Sequence, residues 1–220
     1  MNRPRFVVAD TMDLWIQTAR PDLDALLRRV NLLILNDSEA REITKETSLV
    51  KAGRNIRKMG PDYVAIKKGE HGALLFGGGD QFFSCGAYPL EDIHDPTGAG
   101  DTFAGGMAGY LAGTVKKVHF NDLRRAMIYG SVLASFCVEA FSLERLRTLS
   151  IEEVAKRYET FKLMERTRDA GQGSCCALAF ICSAISEGSS RAPDGIRRSV
   201  CRFLEAPSVP RSWRLAAEPC

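Results

Sequence analysis

Four short apolar runs, at residues 6–9, 32–35, 63–66 and 73–76, alternate with polar stretches in the N-terminal part of the chain. Runs of that length rich in Val, Ile and Leu are the pattern of strands covered on both faces, as in a parallel sheet. Residues 22–30 and 49–59 instead carry apolar positions at three- and four-residue intervals, which predicts helices, and Gly60-Pro61 ends the second before the next strand. The alternation predicts a three-layer α/β/α domain with a mostly parallel central sheet and ligands at the carboxyl ends of its strands. Further along, residues 121–139 form an apolar helix with Leu123, Met127, Gly130 and Ala134 on one side, and residues 151–163 an amphipathic one that the charged run 165–169 would end.

One segment breaks both periods. His94-Asp95-Pro96-Thr97-Gly98-Ala99-Gly100-Asp101-Thr102-Phe103-Ala104-Gly105-Gly106 cannot continue a strand through Pro96, whereas the pattern turns helical from Thr102. The Gly-Ala-Gly run is therefore expected to form the first turn of a helix. Amide N–H groups there have no acceptor inside the helix, share the positive end of its dipole, and are approachable because the side chains are missing. Asp101, a short step inside the turn, would repel an anion that was merely held. It makes sense if it takes a proton from a hydroxyl while the amides receive charge building on a transferred group. The small residues that follow, Ala104, Gly105, Ala108, Gly109 and Ala112, leave a narrow helix face that is expected to pack closely on the sheet.

Composition narrows the class. The 220 residues carry a net charge of +3, with no dense Lys/Arg block interleaved with aromatics, so nucleic-acid binding is not expected. No apolar run is long enough for a bilayer and the N-terminus lacks a signal-peptide layout, so a soluble cytoplasmic protein is expected. Seven cysteines, an odd number without paired CxxC spacing, favour free thiols over a disulfide framework or zinc ribbon. Five of them, Cys175, Cys176, Cys182, Cys201 and Cys220, crowd a tail that from Gly171 onward has no lysine and accumulates Ser, Pro, Ala and Arg. Residues 1–170 are thus expected to form the domain. Residues 171–220 are expected to be an unrelated extension, of the kind a shifted reading frame produces, whose deletion should leave the domain's chemistry intact.

The run from Asp95 to Gly106 closely resembles the C-terminal signature of the ribokinase, or PfkB carbohydrate kinase, family. The resemblance implies a ribokinase-like fold and an ATP- and Mg2+-dependent transfer of the terminal phosphoryl group to a hydroxyl of a sugar or nucleoside. By the same resemblance Asp101 is the catalytic base, and Gly98, Ala99 and Gly100 form the anion hole. Asp95 and Thr97 match positions whose backbone groups help bind a monovalent cation, K+, in some members.

Further candidates stand at strand ends. Asn36-Asp37-Ser38-Glu39 follows the run 32–35 and opens a helix, so an N-cap with acidic residues favouring the dipole is the plain reading. Capping accounts for the Asp or the Ser but does not require the pair Asn36 and Glu39. That pair resembles the family's Asn-x-x-Glu motif, which implies that it orders Mg2+ through water. Lys67-Lys68-Gly69-Glu70-His71-Gly72 reads as a hairpin turn. The resemblance puts it in the nucleotide-binding turn, where Lys67 or Lys68 pairs with ATP phosphates and Gly69 and Gly72 line the nucleotide. Asp10, ending the first strand, faces the phosphate site or serves a simple turn. The family's frequent asparagine beside adenine is absent around Tyr129-Gly130-Ser131, so base contacts are expected to be apolar or backbone-mediated. His71, His94 and His119 make no ligand spacing and read as turn or surface residues.

The resemblance spans residues 5–168 and fits the nucleotide-side, C-terminal half of such a kinase. The N-terminal part, with a sugar-binding aspartate, a Gly-Gly motif and the β lid that often forms the homodimer contact, is expected to be missing. Three readings stay open: a working kinase, a catalytically silent nucleotide-binding fragment, and an unstable remnant that associates through an exposed sheet edge.

Overall fold

Neighbouring residues of the second strand, β2 (Leu32–Asn36), are buried on opposite sides of the sheet. Leu33 and Leu35 join Val64, Ile66, Leu74 and Phe76 in one core, and Leu32 and Ile34 join Ala65, Ala73 and Leu75 in another. A strand with both faces covered needs a layer on each side, and the computed structural model, which describes residues 4–114 and 117–165, has both. The sheet runs in chain order from β1 (Val8–Asp10) through β2, β3 (Tyr63–Lys67) and β4 (Ala73–Phe76) to β5 (Phe82–Cys85). On the first face lie α1 (Asp13–Thr18), α2 (Arg20–Leu27), α3 (Asp37–Thr44) and α4 (Leu49–Lys58), whose Ile16, Leu27, Ile43 and Ile56 fill that core. On the second lie α5 (Ala99–Thr114) and α6 (Phe120–Cys137), contributing Phe103, Met107, Leu123 and Met127. The short α7 (Glu144–Arg147) and then α8 (Ile151–Glu165) follow, and Phe161 of α8 is buried with Val132 and Phe136 of α6.

The expected three-layer α/β/α arrangement is present, but the sheet is mixed rather than mostly parallel. β1, β2 and β3 pair in parallel, whereas β3–β4 and β4–β5 are antiparallel. The reason is the connection. Lys67 and Ala73 are themselves a register pair, and a parallel return would need a crossover of a dozen or more residues. The hairpin expected at 67–72 is therefore the feature that turns the sheet antiparallel.

The narrow face expected on α5 also lies elsewhere. Gly105 and Gly109 are exposed and have no atom within 4 Å of where a side chain would start. Close packing is at Gly106, whose added Cβ would lie 3.0 Å from Gly130 Cα, so the closest approach of α5 is to α6, while Phe103 and Met107 cover the sheet. The domain boundary at 170 and the tail 171–220 lie outside the described residues. Among the described residues no helix is long and apolar enough to cross a membrane.

Candidate active site

The carboxyl ends of β1, β2 and β3 carry Asp10, Asn36 and Lys67. Lys67 reaches over the end of the intervening strand to Asp10, with Nζ to Oδ2 at 2.8 Å, and both side chains are largely shielded, 18% and 26% exposed. A Cβ added to Gly100 would lie 3.1 Å from the same Nζ. The sheet's loop end therefore brings together Lys67, Asp10 and the first turn of α5, which the sequence listed far apart.

That turn begins as expected. The first helical bond runs from Thr102 N–H to the Gly98 carbonyl at 2.9 Å, so Gly98 is the N-cap. Its φ of 81° lies in the left-handed region, which glycine adopts without a Cβ penalty. Among the described residues the N–H groups of Gly98 and Gly100 have no backbone acceptor, but Ala99 donates to the Pro96 carbonyl at 3.2 Å. The expected three-amide hole is thus a pair of free amides flanking one that is already engaged. Asp101 follows, exposed and with no ion pair among the described residues.

The loop before α5 is tied down from beneath. Asp95 Oδ1 accepts from Thr97 N at 2.9 Å and Oδ2 from Ser142 N at 3.4 Å. The Thr97 amide in particular holds the Asp95 carboxyl below its ordinary pKa. Cys137, buried at the end of α6, donates its thiol to the Thr97 carbonyl at 3.7 Å. With the carboxylate spent on the loop, a monovalent cation would find main-chain oxygens here, the Thr97 one shared with a thiol. A cavity of ≈ 310 Å³ opens beside this loop between Gly98, Cys137 and the apolar Phe141 and Leu143.

Asn36 and Glu39 form a reciprocal capping box. Asn36 Oδ1 accepts from Glu39 N at 2.7 Å, and Glu39 Oε2 accepts from Asn36 N at 2.9 Å. The expectation that capping does not require this pair is corrected: it uses both members, because the N-cap and N3 side chains each satisfy an amide the helix leaves free. Glu39 is nonetheless an expensive choice for a cap. It is 5% exposed, and burial raises its pKa, opposed by the Asn36 amide and the Lys67 charge and aided by Asp10 and Asp13. Glutamine caps as well without that desolvation. A buried carboxylate is an oxygen ligand of the kind a divalent cation takes, while the Lys67 ammonium and the α5 amides suit the anion that such a cation would accompany. Among the described residues no three His, Cys, Asp or Glu side chains converge to cage a metal.

The two lysines part company. The Lys67 charge acts on Glu39, and that of Lys68 on Cys85 of β5. Gly69 opens a 3-10 turn, Gly69–His71, with no atom within 4 Å of where a side chain would project. Gly72 has a structural reason of its own, since a Cβ there would run into the Cys85 carbonyl and Gly86. Two contributors escaped sequence reading. Thr11 Oγ1 is buried without a hydrogen-bond partner among the described residues, and the Cys137 thiol underlies the loop. Only the adjacency of Thr11 to Asp10 hinted at the first.

Comparison with known proteins bears on this geometry. Residues 6–146 match the pfkB family carbohydrate kinase. The cytidine kinase of Thermococcus kodakarensis is 38% identical over 92 residues, 41% of this chain and 33% of that protein. The ribokinase of Arabidopsis thaliana, solved with ribose and ATP, superposes with a TM-score of 0.57 at 28% identity, covering 70% of this chain and 47% of that one. The aminoimidazole riboside kinase of Salmonella enterica, solved with aminoimidazole riboside and an ATP analogue, shares the fold with a TM-score of 0.60 at 21% identity, over 70% of this chain and 52% of that one. The chain spans a third of that curated relative and about half of the two solved ones. On the match across residues 6–146, the chain belongs to the pfkB family of carbohydrate kinases.

Proposed function

We propose that the loop end of this sheet is the ATP side of a kinase site acting on a hydroxyl of a sugar or nucleoside, with Asp101 as the base. The observation that carries the reading is convergence: Lys67, the free amides of Gly98 and Gly100, and the exposed Asp101 gather at one helix start. The acceptor hydroxyl gives its proton to the Asp101 carboxylate as its oxygen bonds the γ-phosphorus. The bond from that phosphorus to the bridging oxygen breaks, and its electrons leave with ADP. The Gly98 and Gly100 amides and the Lys67 ammonium receive the charge of the transferring group, fixed in place before it develops. Bound Mg2+ would neutralise phosphate charge, and Asn36 and Glu39 are the residues that would hold its waters. K+ would take the main-chain oxygens of Asp95 and Thr97. Phe141 and Leu143 offer the base an apolar wall, in keeping with the missing asparagine, while Gly69 leaves room along the nucleotide.

A second reading, a nucleotide-binding chain without turnover, is favoured by one observation: Asp101 is exposed although phosphoryl transfer needs water excluded. One assay separates them: the full chain with Mg-ATP and a panel of ribose, fructose, adenosine and cytidine, beside Asp101→Asn. Loss of a general base lowers turnover by about 10²–10⁴-fold. An Asn variant as fast as the wild type sinks the kinase reading, and bound Mg-ATP with no turnover on any acceptor supports the second.

A further inference from the structure

Two positive features meet at the start of α5. The helix presents free amides and the positive end of its dipole, and the Lys67 ammonium lies against the same turn, 3.1 Å from where a Cβ on Gly100 would be. Cations are disfavoured at a helix N-terminus, so lysine would not rest there unaided. The anion that offsets both is Asp10, whose Oδ2 takes the ammonium at 2.8 Å while its Oδ1 is fixed by the Thr11 amide at 3.0 Å. The pair is not a link between neighbouring strands. Asp10 aligns with Ile34 and Lys67 with Asn36, so the contact passes over the end of β2 to join strands that are not themselves paired. Lysine's four-carbon stem makes that reach possible, and left free it would sample many rotamers.

We propose that Asp10 is a positioning residue whose carboxylate stands in for a phosphate oxygen, holding the Lys67 ammonium beside the α5 amides until a polyphosphate displaces it. The inference rests on the reading of this end of the sheet as a phosphate cradle. It adds a competition: an incoming anion must outbid a carboxylate already in contact, so multiply charged polyphosphates gain the lysine and weakly charged anions do not.

The test is calorimetric titration of the full chain with inorganic tripolyphosphate, which has no base or sugar to bind elsewhere. Wild type is compared with Asp10→Asn, Lys67→Met and the double variant, each also melted by circular dichroism, with Lys67→Gln as a second replacement should Met not fold. Asp10→Asn should bind about threefold to fivefold more tightly, the range of one partly shielded ion pair. Lys67→Met should bind less tightly than wild type, and the Asp10→Asn gain should vanish in its background. An equal gain with and without Lys67 would mean simple repulsion between Asp10 and the ligand and would overturn the proposal. So would an Asp10→Asn affinity that is unchanged or weaker, the behaviour of a clip that only steadies β1. A folded wild type that fails to bind would instead overturn the cradle itself, and this inference with it.

Discussion

Glycine-to-alanine exchange should have opposite signs at two positions of the α5–α6 pair. At Gly130 a Cβ would sit 2.7 Å from the Phe103 carbonyl oxygen and 3.1 Å from Met107 Cγ and Phe103 Cδ2. The first of these belongs to helix backbone, so α5 must shift as a whole, and overpacking of this kind costs about 1–3 kcal/mol. Because backbone at 2.7 Å cannot yield locally, the cost falls in the upper part of that range, about 2–3 kcal/mol, and alanine's better helix propensity returns about 1 kcal/mol, leaving a net loss of roughly 1–2 kcal/mol for Gly130→Ala. At Gly105 nothing lies within 4 Å, so only the propensity gain remains, about 0.5–1 kcal/mol in favour of Gly105→Ala. For a chain of this size each kcal/mol moves the melting temperature by about 2–4 °C. Urea unfolding followed by far-ultraviolet circular dichroism measures both variants against wild type. Two shifts of the same sign, or a neutral Gly130→Ala, would refute the helix-crossing argument.

Other consequences follow from single groups. Glu39→Gln keeps both halves of the capping box and removes a buried charge. Because the folded pKa is raised, the carboxylate opposes folding above its unfolded pKa, so the variant should melt higher at pH 7 yet bind Mg-ATP more weakly; a lower melting point would contradict the burial argument. Burial pushes the Cys85 thiol up to about 11 from 9.0, so its stabilising effect is complete below pH 9 and is lost as pH rises to 11. Wild type should therefore lose on the order of 2–3 kcal/mol more than Cys85→Ala between those pH values, read from denaturant unfolding at each pH. Gly98→Ala has room, with Cys137 Sγ 3.8 Å away, but must hold a φ of 81°. About 1–2 kcal/mol of strain at the N-cap should lower stability by that amount or move the loop and weaken tripolyphosphate binding, and a variant identical to wild type in both would refute the left-handed cap.

The sequence carried the layers well because β2, β3 and β4 are apolar on both faces, and only buried strands read that way. The helix start at Ala99 was legible for a similar reason, since Pro96 and two glycines exclude anything else before the apolar period begins. β5 was missed although Phe82, Phe83, Ser84 and Cys85 alternate in exposure, because four residues behind a glycine run give a weak period. α1 was missed as well: its N-cap is Met12, which makes no side-chain cap bond. In the site, residue types were readable and their sharing was not. Nothing in the spacing of Asp10 and Lys67 announces a contact across β2, and nothing in the Asn-x-x-Glu pattern tells whether cap or cation uses it. The structure adds that the cap does, which leaves the buried charge of Glu39 as the part that capping does not explain.

On the proposed function, the first turn of α5 with Lys67 holds the phosphates of a nucleotide. Calorimetric titration of the full chain with Mg-ATP, beside Asp101→Asn and Lys67→Met, tests it most directly. Wild type should show saturable one-site binding, retained in Asp101→Asn and weakened in Lys67→Met. Absence of binding in a folded, monodisperse wild type, or an affinity indifferent to Lys67, would contradict it.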